Sequence, residues 1–332
     1  MQNEITRPQW KVYTNSALAD SKAIRESTKR LLMITDFSQN AEHAEGRAAM
    51  LSMELNNQPL EIMAIGSGGS GTDSGSHRLV AIGDAKPESV GNIESGLRDV
   101  AHRLSKWEKL AYICSIRFGN PVSGIVDRAE EMDAFVTVIG SYGGTIATNL
   151  TRGYSTIDVV RAVTRPVLVV KQEPLESYRK VLIATDFSEA SLQAARVAMT
   201  LAPQAEFELL HVIEDSRLMT ISSEVETNES RVERRIEEDE AAKFRLAQLV
   251  PELKLDAGQV SLVVRHGFPS GIVHARAREI GADLVAYGKV SCSDGYNQTL
   301  GSVAMGLLVQ STCDVLMACE TGDGGGDTKP AA

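Results

Sequence analysis

The chain has 332 residues, with 34 Lys+Arg against 44 Asp+Glu and a formal net charge of −10. The length predicts about two domains, and 43% hydrophobic with 23% charged residues is the composition of an ordinary globular chain with material for two cores. The acidic surplus argues against a non-specific nucleic-acid or anionic-membrane binder, since both need a basic face.

No run approaches the roughly 18 consecutive apolar residues of a membrane helix. The opening MQNEITRPQWKVYTNSALADSKAIRES lacks the apolar stretch of a secretory signal. Cys114, Cys292, Cys313 and Cys319 show neither CxxC nor Cys/His metal spacing. The expectation is a cytoplasmic protein with reduced cysteines, no metal site, and neither membrane nor nucleic acid as partner.

An extension over 1–28 precedes RLLMITDFS at 30–38, a short apolar run ending in polar residues, as a buried parallel strand does. LEIMAIG follows as a second strand. GSGGSGTDSGS at 66–76 then has the composition of a flexible loop. RFGNP at 117–121, Gly140-Ser-Tyr-Gly143 and RPVLVVK at 165–171 complete the first half. The same landmarks then return. KVLIATDFS at 180–188 repeats the Thr-Asp-Phe-Ser tetrapeptide at a shift of 150. RHGFP at 265–269, Gly288 and Gly301 repeat RFGNP, Gly140 and Gly153 at a shift of 148, and CDVLMAC at 313–319 answers RPVLVVK. Preserved order at this spacing is a duplicated domain.

The second copy reads as strand VLIATD, a helix SEASLQAARVAMTLA capped by Ser188, strand FELLHVI, an acidic helix within 222–250, and strand VSLVVRHG. Helix SGIVHARAREIGA, strand DLVAYG, a helix near 302–311 and strand DVLMAC follow. Five strands separated by helices predict a doubly wound parallel α/β sheet in each copy. The expected boundaries are 29–172 and 173–320, with 321–332 a disordered tail.

In such a sheet ligands bind beyond the carboxyl ends of the strands, where strand order reverses. Asp36 and Asp186 end the first strand of each copy, and a carboxylate there can accept hydrogen bonds from ribose hydroxyls. Gly140, Gly143 and Gly153 in one copy, and Gly288, Ser291 and Gly301 in the other, follow the fourth strand with one spacing. Glycine lets backbone N–H groups approach phosphate, and Gly301-Ser302 opens a helix whose N-terminus favours an anion. The alternative is that these glycines serve only tight strand-to-helix turns.

The Gly-x2-Gly-x9-Gly-Ser/Thr pattern, with an Asp ending the first strand, resembles the universal stress protein family over about 29–172 and 178–320. The resemblance implies two tandem domains, each a five-stranded parallel sheet in order 3-2-1-4-5. It implies ATP or another adenine nucleotide, with or without Mg2+, in the crevice of each. The first site would use Asp36, Gly140, Gly143, Gly153 and Ser155, with Ile65 near adenine. The second would use Asp186, Gly288, Ser291, Gly301 and Ser302, with Val212 near adenine. Tyr154 stands where the family has Ser or Thr, and Ser291 where it has its second glycine. The family also implies pairing through the last strands, so PVLVV and DVLMA would join the two halves as an internal pseudo-dimer, with a homodimer as a further option. The functional expectation is a stress-response sensor with an unidentified protein partner. The alternatives are a nucleotide-independent scaffold and a slow ATP hydrolase.

Other signals fit less well. Gly66 to Gly71 matches GxGxxG, but no helix pattern follows it. His211 and His266 end strands of the second copy only, and read as histidines with backbone partners. Cys292 with Lys289 nearby would be a redox sensor only if the cation lowered its pKa. No P-loop or Ser/His/Asp spacing is present.

Overall fold

The computed structural model describes residues 13–14, 29–66, 87–141, 155–214, 228–289 and 300–320. The first half contains β1 (Tyr13–Thr14), β2 (Leu31–Thr35), α1 (Gln39–Glu54), β3 (Leu60–Gly66), α2 (Pro87–Leu104), β4 (Tyr112–Phe118), α3 (Pro121–Glu131), β5 (Val136–Gly140), α4 (Thr156–Ala162) and β6 (Val167–Val170). The second contains β7 (Lys180–Ala184), α5 (Glu189–Leu201), β8 (Glu206–Ile213), α6 (Asn228–Glu252), β9 (Val260–His266), α7 (Pro269–Ile280), β10 (Leu284–Gly288), α8 (Ser302–Gln310) and β11 (Asp314–Ala318).

All strands join one 11-stranded sheet in the order β1-β4-β3-β2-β5-β6-β11-β10-β7-β8-β9. Within each half five strands run parallel in the order 3-2-1-4-5, and β1 adds to the first half's edge antiparallel to β4, Tyr13 opposite Cys114. Helices cover both faces, so the central strands are apolar without alternation. β2 is buried at every position, as are β6 and β11. One apolar layer gathers α1, α2, α5 and α6, and the other gathers α3, α4, α7 and α8.

The halves meet where β6 pairs antiparallel with β11, Leu168 opposite Leu316. PVLVV and DVLMA therefore do join into an internal pseudo-dimer. Because this junction is antiparallel, the carboxyl ends of the two halves point to opposite ends of the sheet. Edge strands this apolar would otherwise invite pairing with another chain.

Polar groups pin the junction. Asp314, 1% exposed, accepts the Lys171 backbone N–H at 2.8 Å and the Tyr178 hydroxyl at 2.6 Å. Arg47 of α1 lies 3.3 Å from the same carboxylate, and its guanidinium stacks 4.0 Å over the Tyr178 ring. Two lysines cross the boundary. Lys171 donates from Nζ to the carbonyls of Leu308 and Ser311 at 2.6 and 2.8 Å. Lys289, 2% exposed, donates to the carbonyls of Val160 and Val163. Burial holds both ammonium groups below the ordinary lysine pKa. Lys289 is thus directed into the domain boundary, and Cys292 lies outside the described residues.

A second buried feature is built twice. Glu61 on β3 receives two hydrogen bonds from Arg128 of α3, at 2.9 and 2.6 Å. Glu208 on β8 receives two from Arg276 of α7, both at 2.7 Å. Both carboxylates are nearly fully buried, and the bidentate fork is what makes a charge tolerable there.

Candidate functional site

Each Thr-Asp-Phe-Ser tetrapeptide folds as a self-bonded turn between the first strand and the first helix. Thr35 Oγ1 accepts the Phe37 N–H at 3.1 Å, and Thr185 Oγ1 accepts that of Phe187 at 2.9 Å. Asp36 Oδ1 accepts the N–H and hydroxyl of Ser38 at 3.1 and 2.6 Å; Asp186 does the same with Ser188. Ser38 and Ser188 then cap α1 and α5. The Phe between them adopts φ of 61° and 66°, a left-handed conformation uncommon for an aromatic residue. Local hydrogen bonds on both sides hold it there.

The carboxylates at the strand ends are therefore positioned before any ligand arrives. Burial alone would raise the Asp186 carboxyl, but the Ser188 hydroxyl and amide outweigh it and hold it below its ordinary range. Beside it, burial first and the Asp186 charge second push the Tyr287 phenol up to about 12, so it stays a neutral donor. Ile139 fills the matching position in the first half.

Gly140 and Gly288 end the fourth strands against the first turns of α1 and α5. A Cβ at 140 would lie 2.5 Å from the Asn40 carbonyl oxygen, and one at 288 would lie 2.3 Å from Ser191 N. Both glycines are required by this close approach, whatever else they do. Gly301 differs: nothing lies within 4 Å of an added Cβ. Gly143, Gly153 and Ser291 lie outside the described residues, as do Tyr154 and most of the 66–76 stretch.

In the first half a cleft is lined by Ile34, Asp36, Ser38, Ala41, Ile139, Gly140, Thr156 and Val159. It brings the Asp36 turn, the end of β5 and the start of α4 together, and Thr156 Oγ1 donates to the Gly140 carbonyl at 3.4 Å. Ile65 packs with the same apolar layer, one strand away and outside this lining, as Val212 does in the second half.

The fourth helices begin differently. Ser155 caps α4, and the Asp158 carboxylate closes the cap by accepting the Ser155 N–H and hydroxyl at 2.9 and 2.8 Å. In α8 the cap is Gly301, Ser302 is the first helical residue, and neither a capping side chain nor an acid occupies the first turn. Gly306 stands where the first half has Asp158.

The two histidines differ from each other. His211 Nδ1 meets the Thr185 carbonyl at 2.8 Å, the expected backbone partner. His266 does not follow that expectation: Nε2 pairs with the Asp239 carboxylate of α6 at 2.7 Å. Among the described residues no cluster of His, Cys, Asp and Glu could hold a metal ion, and no helix is long and apolar enough to cross a membrane. Cys114, Cys313 and Cys319 are buried thiols.

Two doubly wound domains, each with an acidic turn facing a glycine-ended strand, define the class. The universal stress protein family matches residues 27–171 and 177–318, and the chain belongs to that family. Among solved structures, a universal stress protein from Archaeoglobus fulgidus DSM 4304 is similar at 18% identity and a TM-score of 0.61, covering 88% of this chain and 98% of that one. A functionally unknown protein from Pseudomonas aeruginosa PAO1 is similar at 14% identity and a TM-score of 0.55, covering 90% and 95%. Comparison with curated proteins finds no match.

Proposed function

We propose that this chain binds an adenine nucleotide, ATP or a close relative with or without Mg2+, at the carboxyl ends of its strands. It acts in stress response by binding-linked association with a protein partner. The observation that carries this reading is the cleft gathering Asp36, Gly140 and the first turn of α4, with its counterpart parts built again at Asp186, Gly288 and α8. Asp36 and Asp186 would accept from ribose hydroxyls. Ile65 and Val212 would lie beside the base. Backbone N–H groups near Gly301 and Ser302, with those of Gly143, Gly153, Ser155 and Ser291, would hold phosphate.

The two halves are not equal in this role. Among the described residues nothing lies within 4 Å of an added Cβ at Gly301, and the α8 N-terminus has no capping side chain. In α4 the Asp158 carboxylate already takes the cap N–H and places a negative charge there. The second half is therefore the stronger phosphate site. A nucleotide-independent scaffold is favoured by one observation, that close packing alone accounts for Gly140 and Gly288.

The test is mass analysis of small molecules released from purified, heat-denatured protein. Adenine nucleotide at a substantial fraction of the protein supports the proposal. None released, with no thermal shift on adding ATP, favours the scaffold.

A further inference from the structure

Lys171 and Lys289 perform matching tasks from positions that are not matched. Each lies one residue beyond a strand at the carboxyl end of its own half. Lys171 follows β6, whose last residue Val170 accepts the Ser141 N–H at 2.7 Å beside Gly140. Lys289 follows Gly288 itself. Their acceptors are equivalent: Leu308 and Ser311 at the end of α8, Val160 and Val163 at the end of α4. The other ends of those helices are Ser302 and Thr156, which border the two candidate sites.

We propose that these lysines couple the two nucleotide sites energetically, an inference that rests on the reading above. One route runs from Gly288 through Lys289 to the last turn of α4, then along that helix to Thr156 and the Gly140 carbonyl. The other runs from Gly140 across to β6, through Lys171 to the last turn of α8, then to Ser302. Each helix is short, about 10–14 Å; α4 is held at its start by Thr156 on the Gly140 carbonyl and at its end by Lys289, and α8 at its last turn by Lys171. An ammonium this buried tolerates little loss of its carbonyl partners. A ligand that shifts either helix start therefore changes the fit at the lysine, and through it the other site. Such coupling is reciprocal.

The experiment is calorimetric titration of the full chain with ATP, compared with Gly143→Val, which leaves the second site, and Gly301→Val, which leaves the first. Coupling predicts that the wild-type isotherm departs from the sum of the two single-site isotherms by about fivefold or more in apparent affinity. It also predicts that Lys171→Met with Lys289→Met restores that sum to within about twofold while both sites still bind. If the double variant does not fold, Lys171→Met alone breaks one route and reduces the departure. A wild-type isotherm equal to the sum, a stoichiometry of one, or a departure that survives the lysine changes overturns the coupling and leaves nucleotide binding standing. No heat in any protein overturns both.

Discussion

Gly288→Ala separates two roles that a strand-end glycine can have. The added Cβ would lie 2.3 Å from Ser191 N and 2.6 Å from the Ala190 carbonyl carbon. Both atoms are backbone in the first turn of α5, so no rotamer change relieves the overlap. The helix must withdraw by about 1 Å to restore ordinary contact. Overpacking costs about 1–3 kcal/mol, and with rigid backbone opposite the loss falls at about 3 kcal/mol, lowering Tm by about 4 °C for a chain of 332 residues unfolding together. Gly271→Ala is the control. Nothing lies within 4 Å of its added Cβ inside α7, and φ there is ordinary, so it gains about 0.5–1 kcal/mol. Urea unfolding followed by circular dichroism reads both. A Gly288→Ala protein as stable as wild type, or equal losses in the two variants, would refute the packing argument.

Arg128→Met and Arg276→Met each strand a buried glutamate and lower stability by about 3–5 kcal/mol, while Glu61→Leu combined with Arg128→Met recovers most of it in chemical denaturation. Asp158→Asn removes a charge from the start of α4 and raises first-site ATP affinity about 2–5-fold by calorimetry in a Gly301→Val background. For Asp186 the folded pKa is depressed, so its contribution to stability is present above the unfolded pKa and is lost as pH falls through the folded one. The stability difference between wild type and Asp186→Asn therefore stays level above about pH 5 and closes only below about pH 4. A difference that closes nearer neutrality would contradict the hydrogen bonds assigned to Ser188.

The duplication made most of the fold legible. Two copies of Thr-Asp-Phe-Ser and of the glycine landmarks marked the two halves and the ends of their strands, while the strand order came from the family resemblance those landmarks carry. PVLVV and DVLMA were apolar enough to need covering, and the family resemblance pointed to their pairing with each other. The positions of the candidate site were legible along the chain, because Gly140 ends a strand and Asp36 and Asp186 follow one within two residues. Lys171, Lys289 and the Arg47–Tyr178–Asp314 cluster were not, because their partners come from the other half and one-dimensional spacing carries no trace of an antiparallel junction. Glu61 and Glu208 could have been found. Each is an acid within an apolar strand, and Arg128 and Arg276 recur at the same shift of 148 as the glycines. The start of α4 escaped for a local reason: Asp158 closes a capping box two residues beyond the point where α8 begins in the second half.

Nucleotide occupancy of the second half is the claim on which the account turns, and titrating ATP into wild type and Gly301→Val measures it most directly. The account predicts saturable heat in wild type and loss of the tighter phase in the variant, because a valine at that open position intrudes where phosphate would lie. Equal isotherms for the two proteins, or no heat in wild type at about millimolar ATP, a concentration that would reveal even weak binding, would contradict it.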